Sequence, residues 1–94
     1  MKTVALKLPN EEKLTRALLA IGFTQVDADE HIEGLKEIID LHLVKRVHEE
    51  HLSGDAVNVA VHEESKRLLQ DSIDVVTANL DYSQKAQFHS ILEG

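Results

Sequence analysis

Residues 24–54 read TQVDADEHIEGLKEIIDLHLVKRVHEEHLSG, and the fold follows from how this stretch is taken. Thr24 with Asp27 three positions on is a variant of the capping box that opens a helix. Ala28, Ile32, Leu35, Ile38, Ile39, Leu41, Leu43, Val44 and Val47 then carry apolar side chains along it. From Ile38 onward these positions point almost all round a helix. A helix that is apolar all round must be covered on several sides. The short neighbours within a chain of 94 residues offer limited cover, so the stretch predicts a homodimer. Ser53-Gly54-Asp55 supplies the break at its end.

Working outward, a third helix is expected from about Ala56 to Asn79. Leu69, Ile73, Val76 and Leu80 make its stripe, preceded by Val57, Val61 and Leu68. The alternation Val57, Val59, Val61 leaves a short strand over 57–61 as an alternative, but the length and the flanking Glu and Lys favour helix. Gly54 would fold the two long helices into an antiparallel hairpin. Upstream, Asn10 is a capping residue, and Glu11 and Glu12 suit the positive end of a helix. Leu14, Ala17, Leu18 and Ile21 follow helical spacing. Gly22 gives a left-handed stop, with Phe23 placed for a terminal hydrophobic contact. Asp81 with Gln84 opens a last helix carrying Phe88, Ile91 and Leu92.

Val4, Leu6 and Leu8 alternate before Pro9, which reads as an extended arm over residues 1–9. The expectation is therefore an all-α chain with a single helical domain over 1–94. It is a small bundle of about four helices, the bundle itself spanning 10–94. The face that forms either core or dimer interface comprises Leu35, Ile39, Val44, Val47, Leu69, Ile73 and Val76.

The charge balance narrows function. Ten Lys and Arg stand against seventeen Asp and Glu, a formal net charge of −7. Binding to nucleic acid or to an anionic membrane surface needs basic residues to neutralise phosphate, so neither is expected. Asp27, Asp29, Glu30, Glu33, Glu37 and Asp40 form an acidic stretch relieved by Lys36, whereas the first twenty residues are locally basic. A self-complementary contact could use that asymmetry. The absence of cysteine excludes disulfides and thiol chemistry. No apolar run reaches the length of a signal sequence or a membrane span, which makes a cytoplasmic location the default expectation.

Six histidines are the unusual feature. His48 and His51 share a helix face, and a hairpin at Gly54 would return His62 alongside them. With Asp55 and Glu63 nearby, His48, His51 and His62 are candidate ligands for Zn²⁺ or Ni²⁺. The plainer alternative is a set of polar residues around a turn. His31 and His42 lie nearer the apolar stripe, where a histidine normally acts as a hydrogen-bonded core residue. Catalytic constellations are thin: no serine sits on a glycine-flanked elbow, and there is no phosphate-binding glycine loop.

Three short stretches resemble known families. Leu18-Leu19-Ala20-Ile21-Gly22-Phe23 before a capped helix resembles the hairpin of ubiquitin-associated-like domains. The same stretch through Ile39 is similar to the head of a family of coiled-coil proteins. Leu80-Asp81-Tyr82-Ser83-Gln84 is similar to a helix start in periplasmic metal-stress bundle proteins. The likenesses cover a helix stop and a helix cap, and no functional residue is carried over from them. The expected function is a non-catalytic protein-interaction or regulatory module without a cofactor, its partner a second copy or another protein. The alternative is a small metal-binding protein using the turn histidines.

Overall fold

A computed structural model describes Leu8 and residues 10–94. Four helices follow one another: α1 (Glu11–Ala20), α2 (Gln25–Glu50), α3 (Asp55–Thr77) and α4 (Tyr82–Glu93). The all-α bundle expected from the sequence is observed, and residues 57–61 lie within α3 as helix. The arm proposed for residues 1–9 lies outside the described residues except for Leu8, which is buried against the core.

The helix boundaries obey local chemistry. The Thr24 hydroxyl accepts from the backbone N–H of Asp27 at 3.1 Å, and the Asp81 carboxylate accepts from that of Gln84 at 2.8 Å. Gly22, at φ 112°, lets the Phe23 N–H return to the carbonyl of Leu18. Asn10 departs from expectation. It occupies the cap position of α1 at φ 61°, but its side chain makes no capping bond. Asparagine tolerates that left-handed backbone, and its carbonyl accepts from Leu14. The stop of α2 also falls earlier than the expected break: His51, at φ 53°, is its left-handed cap, and the Leu52 N–H returns to Val47.

α2 and α3 form the long antiparallel hairpin. At 26 residues α2 is about 39 Å long, which accounts for most of the 44 Å longest dimension. α1 packs back along the first part of α2, where Lys36 Nζ meets Glu11 Oε1 at 2.8 Å. α4 packs on α1, with Gly94 beside Lys13. Phe88, Leu18 and Ile39 are the largest fully enclosed side chains. They tie α4, α1 and α2 into one core.

Of the residues assigned to a core or dimer face, Leu35, Ile39 and Ile73 are buried within the chain. Val47, Leu69 and Val76 are partly covered. Val44 is open, at 60% exposure.

Candidate interaction face

The buried side of α2 is made by Ala28, Ile32, Leu35, Ile39 and Leu43, spaced four, three, four and four apart. Apart from the partly covered Val47, the other apolar residues of this helix stay outside. Ile38 is 48% exposed, Leu41 69% and Val44 60%. Val75 on α3 is likewise open. Between the two long helices lies a groove of about 400 Å³. Gly34, Leu35 and Ile38 form its α2 wall, and Leu68, Ser72 and Val75 its α3 wall. Glu30 and Asp71 place carboxylates beside it. Gly34 matters to its shape, because a Cβ there would meet no atom within 4 Å. The helix surface is flat at that point, and the groove opens over it.

His31 closes one side. Its Nε2 lies 2.7 Å from Ser72 Oγ, and its ring meets Phe23 edge-on at 5.9 Å between centroids. Burial pushes its pKa down and keeps the ring neutral. A serine bonded to a histidine is where acyl transfer chemistry begins. Here Ser72 is inside α3, where backbone N–H groups are already committed to the helix and cannot receive an oxyanion. The pair is a tie between helices.

Towards the turn the helices are joined by charge. Arg46 reaches Glu63 at 2.9 Å, and Glu50 and Glu64 at 3.3 Å. Arg67 reaches Glu64 at 2.6 Å. The hydrogen bond from Arg67, with the charges of Arg67 and Arg46, holds the Glu64 carboxyl below its usual range. Glu63, first through its hydrogen bond, and Glu50 raise the Arg46 pKa.

The turn histidines are not assembled within one chain. Among the described residues no group of three or more His, Asp or Glu side chains is placed to hold a metal ion. His48, His51 and His62 are all exposed. His51 leaves the helical path as the cap of α2, so the helix-face argument linking it to His48 does not apply. Buried Ala60 and the ion-paired Glu64 mark the α2-facing side of α3. His62, two residues from each, falls on the far side.

The groove itself was not legible beforehand. Nothing in the sequence around Ser72 or Gly34 marks either as part of a groove. The one available signal was the excess of apolar positions on α2. No family model, curated protein or solved structure matches the chain.

Proposed function

We propose that the chain is a non-catalytic protein-interaction module that works as a homodimer. The observation that carries the reading is the uncovered apolar surface of α2, where Ile38, Leu41 and Val44 stand exposed beside an open groove. Covering such a surface removes apolar area from water at about 25 cal/mol per Å². Exposed apolar surface that forms a contiguous patch marks an interaction site more often than scattered single residues do. Among the described residues no helix is long and apolar enough to cross a membrane. A cytoplasmic setting belongs to the same proposal.

Sedimentation equilibrium across micromolar concentrations tests it. The expected mass is about twice the 10.5 kDa of one chain. A single-chain mass throughout would remove the dimer.

A further inference from the structure

We infer that the two copies meet through antiparallel α2 helices with a two-fold axis between Glu37 and Ile38, each inserting Leu41 over Gly34 of the other. This register rests on the homodimer reading above. Glu30, Gly34, Ile38, Leu41 and Lys45 recur at spacings of four, four, three and four. They fall on one side of α2. Along that side the stripe runs acid, flat, apolar, apolar, base. Laid antiparallel on itself about the midpoint between Glu37 and Ile38, the stripe is complementary. Glu30 meets the second copy's Lys45, and Gly34 meets its Leu41.

The fit continues beyond the stripe. The same register sets Asp27 against His48. The acidic first half of α2 thus lies along the half that carries Lys45, His42 and His48. The groove supplies the shape. Gly34 leaves the α2 wall low, and the neighbouring floor is the apolar Leu35 and Leu68. A leucine entering there is flanked by Glu30 and Asp71, the carboxylates a following lysine needs. A two-fold axis fills both grooves at once, which an unrelated basic helix does not do.

Charge exchange tests the register. Glu30→Lys or Lys45→Glu alone should weaken dimerisation about tenfold, because each turns two symmetric attractive pairs into repulsive ones. The double variant restores both pairs and should return the dissociation constant to near that of the parent. Residues 30 and 45 are about 22 Å apart along α2, so restoration cannot come from contact within a chain. A double variant as weak as the two losses combined overturns the register, as do single variants without effect.

Cross-linking gives an independent reading, since the chain has no cysteine of its own. Mixing Gly34→Cys and Leu41→Cys chains should yield a mixed disulfide. Each alone should resist, its two sulfurs being offset about 10 Å along the axis. Self-linked Gly34→Cys chains would show another register and leave the dimer standing. A parent chain that stays monomeric removes the dimer itself, and the groove then belongs to a foreign partner.

Discussion

His31 and Ser72 are joined by a 2.7 Å hydrogen bond across 41 positions of sequence, linking the two long helices beside the groove. Because burial lowers the His31 pKa, the folded chain disfavours protonation of this ring relative to the unfolded chain. The unfolded pKa is about 6.5. The contribution of neutral His31 is therefore fully present above that value and is lost as pH falls below it towards the lower folded pKa. The melting temperature should rise between about pH 5.5 and 7.5 more steeply in the parent chain than in His31→Gln. The difference between the two curves isolates His31, since His42, His48, His51, His62 and His89 are all exposed and present in both. Equal slopes would show that the ring titrates freely.

Phe88 has no exposed surface and is the anchor of α4. Phe88→Ala should cost about 3–5 kcal/mol, through lost transfer energy and the cavity left behind. A domain of this size has about 5–15 kcal/mol in total. Urea unfolding should show a large fall in midpoint. A loss under about 1 kcal/mol would mean the space refills by collapse.

His51 holds a left-handed backbone conformation that costs a non-glycine residue about 1–2 kcal/mol. Glycine adopts it freely but gives back part of the gain through a more flexible unfolded chain. His51→Gly should raise stability by about 0.5–1 kcal/mol and the melting temperature by several degrees. A decrease on calorimetry would mean that the imidazole makes a contact worth more than the strain.

Glu64 is the meeting point of Arg46 and Arg67, and its side chain is only 12% exposed. Its folded pKa lies below the unfolded one, so its contribution is present above about pH 4.5 and disappears as pH falls through the folded value. Glu64→Gln should lower stability at pH 7 by about 1 kcal/mol or less, the range for pairs near the surface. Chemical denaturation in acid below that folded value should bring the variant and its parent together. A deficit that persists there would assign the loss to packing.

The helices were legible because their ends are written in local chemistry. Thr24 with Asp27, Asp81 with Gln84, and Gly22 before Phe23 each act within a few residues, and each does what its spacing implies. The end of α2 was less so, because nothing in His51-Leu52-Ser53-Gly54 says that histidine, ahead of an available glycine, takes the left-handed position. Asn10 shows the converse, a residue suited to capping that reaches its position with its side chain unused. Long-range relations were illegible for a different reason. His31–Ser72 and Arg46–Glu64 depend on the register of α2 against α3, which the packing of Leu35, Ile39 and Leu68 decides. The surplus of apolar residues on α2 was visible, but its division into a buried face and an open one was not. Val44, grouped with Ile39 and Leu35 by hydropathy, is the residue on which that distinction falls.

The arrangement of α1 and α4 also divides the molecule by how readily it opens. Phe88 and Leu18 thicken one end of the hairpin, while Ala60 and Leu43 are the last buried apolar residues towards the other. Between Ile39 and the turn the two helices are also joined by Arg46 with Glu63 and Glu64, a contact that salt weakens. Backbone amides near the turn should therefore exchange with deuterium through local fraying, and those around Ile39 only through opening of the whole domain. The hairpin thus contains its own gradient of protection, and the Ile38–Leu41 surface sits at the boundary between the part that breathes and the part that does not.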